Sequence, residues 1–297
     1  MRFRLTAKSR QLTVFHCQLF IINCLLSAST VFAQSDSTAH ANYLLPAIAP
    51  AAIIGIALYN NYNDFWKNSQ KVSFHFSNDP PYAMHNDKFG HAFYAATTAD
   101  IAKLCYIEAG MDRKTAAWIG FGSSLMAQTL VEIGDGFHGN TPYYGFSPGD
   151  EAADILGSSF SLAKEYLSFL NRFDYKIGFW PSSAYKEGAY HTIIDDDESQ
   201  FFWLSYEIYR DVPDGFPKWL NVAFGYGVQN LRQVQFLTDR KNTIPASQFF
   251  FGLDIHLKEI PIEGKAWQII AGLLDHVRIP FPSLQIRPTL KWYWLHS

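Results

Sequence analysis

Cysteine is scarce in this chain. There are three in 297 residues. Two of them, Cys17 and Cys24, lie in an N-terminal segment built like a cleavable leader. With Cys105 alone remaining, no intramolecular disulfide can form, even in an oxidising compartment. The sequence also lacks a paired-cysteine zinc motif and a glycine-rich phosphate loop. Ser123-Ser124 and Ser158-Ser159 lack the Gly-x-Ser-x-Gly setting of an activated serine. Cys105 falls on a predicted helix with no neighbouring group that would activate a thiol. A basic surplus is missing as well. The 24 basic and 27 acidic residues become 20 and 27 once the four basic residues of the leader are removed, a net charge of −7. That excludes the basic footprint of a nucleic-acid binder. Internal repeats and low-complexity tracts are absent.

The leader itself has three parts in order. Arg2, Arg4, Lys8 and Arg10 form a positive start without an acid. Leu12 to Leu26 is mostly apolar, interrupted by His16, Gln18 and Asn23. Val31-Phe32-Ala33 then offers a cleavage site before Gln34. Residues 1–33 therefore read as a signal peptide, and the mature chain as an exported protein of the periplasm or envelope membrane. An uncleaved anchor is the alternative. Asn23 is not the small residue that a lipidated Cys24 would need before it.

Beyond the polar stretch 35–42, Tyr43 to Tyr59 is an apolar run carrying Pro46 and Pro50. It reads as a short or re-entrant membrane helix, or as a buried core helix whose regular part is its second half. Asn86 is a candidate N-cap for a helix to about Glu108, stopped by Gly110. Asp112 caps a second helix from Arg113 to about Ile133, ended by Gly134 and Gly136. Within it, Gly120 and Ser124 have the spacing of close helix packing. Ser147-Pro148-Gly149-Asp150 starts a third, with Ser at the N-cap, Pro at N1 and a carboxylate at N3, reaching towards Phe169. After Asn171 the pattern changes. Val222 to Val228 and Phe251 to Lys258 alternate with period two, as strands do. Ala266 to Leu274 has helical spacing, Pro280 and Pro282 then break the chain, and Phe201 to Tyr209 is ambiguous. Four or five strands are too few for a closed membrane barrel. The expectation is an α+β chain: a membrane-apposed helical bundle over residues 34–170, then a mixed, aromatic-rich region over residues 171–297.

Three polar clusters sit at the ends of these apolar helices. Asp87 and His91 are four apart, hence on one face, with Lys88 between them. Glu132 and Asp135 lie at a helix C-terminus. Asp150 and Asp154 again share a face. If the helices are neighbours, one imidazole converges with up to five carboxylates. Buried, unpaired carboxylates are costly, so such a cluster calls for a neutralising partner: Lys88, or a divalent metal ion. Asp87, His91, Glu132, Asp150 and Asp154 are the candidate metal ligands. Asp87, His91, Glu132 and Asp135 are the candidate catalytic groups, since a cation can activate water and a paired acid can serve as a base. Helix punctuation explains part of the pattern. Asp150 at N3 and Asp87 in a first turn are favoured by the helix dipole. Glu132 and Asp135 oppose the dipole, and punctuation leaves them unexplained.

Asp-Lys-x-Gly-His, then Glu-x-x-Asp-Gly, then Gly-Phe-Ser-x-x-Asp with Gly157 following, resembles the YfiM-like family over roughly residues 80–165. Its members are predicted periplasmic proteins or lipoproteins with no established reaction. More distantly, the skeleton is similar to VanZ-like membrane proteins. Asp87, Lys88 and His91 match their first block, Glu132 the second, and Asp150 with Gly157 the third. Asp154 stands where that pattern has Asn. The resemblance implies a place in the bacterial envelope and leaves the chemistry open. Two functions follow: a structural or accessory envelope protein with a buried polar network, or a metal-dependent hydrolase acting on lipid or cell-wall material. Membrane or envelope components are the expected partners.

Overall fold

The computed structural model describes residues 44–77, 82–139, 144–188, 196–212, 214–231 and 244–297. The leader, its cleavage site and the polar stretch 35–42 lie outside the described residues. The described residues divide into two compact units, one ending at Tyr175 and one running from Lys176 to Ser297.

In the first unit, helix α1 spans Leu44–Asn61 with Pro50 inside it, and runs into a wider π turn at Tyr62–Trp66. Helices α2 (Asn86–Glu108), α3 (Arg113–Gly136) and α4 (Pro148–Ala163) pack against one another, and α1 lies on α3. The Asp112 side chain accepts from the Thr115 N–H at 3.0 Å, and Ser147 Oγ from the Asp150 N–H at 3.0 Å. Each satisfies one of the orphan donors at a helix start. Asn86 is not a cap. Ala83, Met84 and His85 all have positive φ, so the helix starts directly after a left-handed turn with His85 at the cap position. The third helix also stops at Ala163, short of Phe169.

The contact faces of these helices are lined with small residues. Ala95, Ala99, Ala102, Ala116 and Ala127 are buried. Ser124 Oγ donates to the Ala95 carbonyl at 2.7 Å. A Cβ on Gly120 would stand 2.7 Å from the Ala99 carbonyl oxygen, so α2 and α3 meet backbone to backbone.

In the second unit, β1 (Phe173–Phe179, which starts in the first), β2 (Gln200–Tyr206), β3 (Leu220–Gln229), β4 (Ala246–Ile255), β5 (Phe281–Arg287) and β6 (Lys291–His296) form one sheet in sequence order. β2 to β6 pair antiparallel, so the sheet is a meander. A short helix, α5 (Ser183–Lys186), follows β1, and α6 (Lys265–Leu274) precedes β5. Past α6 the chain returns to β1. Ile177 N–H donates to the His276 carbonyl at 2.9 Å, and Arg278 N–H to the Ile177 carbonyl at 2.8 Å. The register sets two rows across the strands. Trp203, Gly225, Phe250 and Gln285 lie on one face; Leu204, Phe224, Phe251, Leu284 and Trp292 lie on the other. Gly225 is required in the first row, because a Cβ there would stand 2.7 Å from the Trp203 ring.

This corrects the fold expected from the sequence. Among the described residues no helix is long and apolar enough to cross a membrane. α1 packs on α3 instead, with Ile53 against a buried cluster of Ala102, Tyr106 and Ala116. In place of the membrane-apposed helical bundle of the expected α+β chain stands a helical unit with its own small-residue core and no membrane-crossing helix among the described residues. The region of a few strands is a continuous six-stranded sheet. Phe201 to Tyr206 is strand, and Pro282 lies inside β5 rather than ending the chain's order.

Candidate functional site

The site is assembled by α2, α3 and α4. Close approach makes it possible. A Cβ on Gly157 would stand 2.1 Å from the Ala92 carbonyl oxygen, so α4 touches the backbone of α2 one residue from His91. One helical turn before Gly157, Asp154 is fully buried. Both of its carboxylate oxygens lie 3.2 Å from His91 Nδ1. Gln128, from α3, donates its amide to Asp154 Oδ1 at 3.2 Å.

With Nδ1 held by Asp154, the other ring nitrogen faces two acids. His91 Nε2 lies 3.8 Å from Glu132 Oε1 and 3.9 Å from Asp150 Oδ1. Both distances exceed hydrogen-bond range. The far oxygen of Glu132 accepts the Ser147 backbone N–H at 2.9 Å, which ties the buried acid to the start of α4. Lys88 Nζ bridges Asp150 at 2.6 Å and Asp87 at 3.3 Å. Asp135 sits to one side, accepting the Trp66 indole N–H at 2.6 Å. Trp66 reaches it because position 134 is glycine: a Cβ there would stand 2.2 Å from the indole ring.

Five carboxylates thus share a region with two cationic side chains. Desolvation pushes the Glu132 carboxyl up to about 8, more than His91 and the Ser147 N–H pull it down. Burial raises Asp135 to about 6. Burial, seconded by the charge of Asp150, raises Asp87 to about 6. Burial alone would lower the His91 imidazole; the Asp154 hydrogen bond and the charges of Asp154, Asp150 and Glu132 outweigh it and raise it to about 10. Near neutrality the cluster therefore keeps extra protons, or something positive in their place.

No family model matches this chain, and neither the curated proteins nor the solved structures contain a match. The likeness to YfiM-like proteins stays one of three motifs, and the site has to be read from its own chemistry.

All six residues singled out in the sequence lie around this centre, in different roles. One ligand atom from each of His91, Glu132 and Asp154 lies within 4.8 Å of the others. Asp150 joins them through its 3.9 Å approach to Nε2, while its partner Lys88 already offsets much of its charge. Asp87 is linked through Lys88, and Asp135 only through the electrostatics it shares with His91 and Asp150. Three contributors escaped the sequence reading. Gln128 is one turn before Glu132 on the same face of α3, a spacing that was there to be seen. Trp66 and the Ser147 N–H carried no signal, because a contact 69 residues long and a backbone donor leave no local pattern.

Proposed function

We propose that this chain is an exported accessory protein of the bacterial envelope whose helical unit is organised around a divalent-cation site. The leader-like N-terminus supports export. The cation site rests on one observation: His91 is clamped at Nδ1 by Asp154, while Nε2 faces Glu132 and Asp150 at 3.8 and 3.9 Å. A carboxylate orienting a histidine by its far nitrogen is the usual support of a metal-bound imidazole. The near distances are too long for hydrogen bonds but fit oxygens and nitrogen that share one ion. One imidazole with carboxylates suits Zn, Mn or Mg. His91, Glu132 and Asp150 are the proposed ligands, with Asp154 as the orienting residue.

A hydrolytic reading is favoured by one further feature. The His91 side chain is one quarter exposed, so the cluster has an open side. Bound there, a divalent cation supplies Lewis-acid activation of water. Envelope lipid or cell-wall material is the proposed substrate class.

The test is elemental analysis of the purified chain beside its Glu132→Gln and His91→Ala variants. Near-stoichiometric divalent metal, lost in both variants while Glu132→Gln folds as stably as the parent, supports the site. Gln still accepts the Ser147 N–H, and it removes the charge that burial penalises. If the parent carries no metal and takes none up, and Glu132→Gln is less stable, the cluster is only architecture. Activity of the metal-loaded parent on envelope lipids or peptidoglycan, absent in Glu132→Gln, would then separate hydrolase from accessory protein.

A further inference from the structure

The sheet unit is built inside out. Its inward face buries charged and polar side chains beside an aromatic cluster of Phe201, Trp203 and Phe250. Lys176, 1% exposed in its side chain, lies 2.8 Å from Asp254 and 2.9 Å from Asp275. The Arg278 guanidinium lies 3.5 Å above the Trp203 ring and donates to the Leu253 and His296 carbonyls at 2.6 and 3.1 Å. Ser205 donates to Asp254 at 2.7 Å, and Gln248 to Gln285 at 3.3 Å. The outward face is apolar and open. Phe224 is 58% exposed, and Phe249, Phe251, Leu253, Ile286 and Trp292 are exposed beside it. Leu204, Phe224, Phe251, Leu284 and Trp292 are directly paired partners, so they form an unbroken row over five strands. No charged residue interrupts that row. The acid of β4, Asp254, points inward, and Arg287 and Lys291 flank the β5–β6 turn.

An antiparallel sheet in water shows the reverse pattern, with apolar residues in and polar residues out. Apolar-out and polar-in alternation is what a sheet adopts against hydrocarbon. β3 and β4 have ten residues each, the length of a strand that crosses the apolar layer. Trp294, 76% exposed at the irregular pairing of β5 and β6, adds an amphipathic ring of the kind that anchors at the lipid–water boundary. We infer that the outward face of β2–β6 seats against the acyl chains of a lipid bilayer. The interior is filled by the ionic network together with the buried aromatic cluster of Phe201, Trp203 and Phe250, so the sheet is a lipid-facing surface and not a pore. A second copy of the chain would need only a local patch, whereas the apolar outward row runs across every strand from β2 to β6 while the charges are sequestered inside.

The experiment is flotation of the full chain with phosphatidylcholine vesicles, which carry no net charge to attract or repel an acidic protein. The parent should float with the vesicles. Phe224→Asp/Phe251→Asp, with an unchanged circular dichroism spectrum, should float at least about tenfold less, since charge on a lipid face is penalised with depth. Should that variant fail to fold, quenching by acyl-brominated phosphatidylcholine decides: tryptophan emission of the parent should be quenched, and less so in Trp292→Phe/Trp294→Phe. A parent that stays at the bottom of the gradient overturns the inference. So does a folded aspartate variant that floats like the parent, or a parent that sediments as a dimer and is made monomeric by the same substitutions.

Discussion

The helical unit and the sheet unit both bury charge, but they balance it differently. Around His91 five carboxylates face Lys88 and one imidazole. Around Lys176 the charges are matched: Lys176 and Arg278 against Asp254 and Asp275, with Ser205 donating to Asp254 and Asn221 to Ser205. A matched interior needs nothing else, so it reads as architecture. An unmatched one holds protons or an ion, so it reads as a site. Contacts of 2.8 and 2.9 Å from Lys176 to its two acids, against 3.8 and 3.9 Å gaps around His91, are the geometric form of the same difference.

The comparison breaks first at Lys176. Lys176→Met removes the cation shared by Asp254 and Asp275 and leaves both carboxylates buried with poorer partners. Losing one side of a buried pair costs about 3–5 kcal/mol. Urea denaturation should show a loss of that size. A loss under about 1 kcal/mol would mean that Arg278 already neutralises the acids and that the matched network is redundant.

The helical unit should reveal its imbalance through pH. Asp87 and Asp135 at about 6 and Glu132 at about 8 lie above their unfolded values, so the native state binds more protons than the unfolded chain in that range. Stability should therefore fall as pH rises from about 4 to about 8. His91 adds stability that is complete below its unfolded value and is lost as pH rises through about 10. Both act in the same direction. A tenfold difference in proton affinity between the folded and unfolded chain corresponds to about 1.4 kcal/mol, so the fall should reach a few kcal/mol. Thermal unfolding followed from pH 5 to 9 checks this. Excess divalent cation should flatten the curve, because the ion takes the place of the protons and binds more tightly as they leave. A flat curve without metal would make the two interiors equivalent.

Much of the helical site is legible in the sequence. The Asp87–His91 and Asp150–Asp154 spacings place each pair on one helix face, and capping chemistry at Asp112 and Ser147 marks two helix starts. What punctuation leaves unexplained, Glu132 and Asp135, is what the structure puts beside His91 and Trp66. The sheet is harder to read. β6 is Lys-Trp-Tyr-Trp-Leu-His, and irregular pairing near Trp294 and Leu295 spoils the period of two. Pro282 resembles a break, yet it falls at that same register shift, one of the few places where a sheet tolerates proline. Exposed aromatics outside and charge inside also invert the pattern by which strands in water are recognised. A membrane-crossing helix fails as an expectation among the described residues because apolar, small-residue helices look alike in lipid and in a tightly packed core.

A smaller effect sharpens the role of helix contact. Gly157→Ala puts a methyl where the Ala92 carbonyl stands, so α4 must move away from α2. Overpacking of this kind costs about 1–3 kcal/mol. The displacement would also pull Asp154 from His91 Nδ1. Loss of bound metal in a chain that still folds cooperatively would show that ring orientation, beyond the mere presence of carboxylates, makes the site. Unchanged metal content would shift weight from Asp154 to Glu132 and Asp150.

The smallest effect belongs to the exposed charges of the same helices. Arg113, two-thirds exposed, grips Glu165 with Nη2 at 2.9 Å and Nε at 3.2 Å. The geometry is good, but solvent screens it, and Lys103 also lies 3.4 Å from Glu165. Removing the guanidinium therefore strands no acid. Arg113→Ala should cost less than about 1 kcal/mol in urea denaturation, and salt should erase most of the difference. A cost comparable with that of Lys176→Met would mean that charge in this molecule is ranked by geometry rather than by burial, and the contrast between a matched interior and an unmatched one would lose its basis.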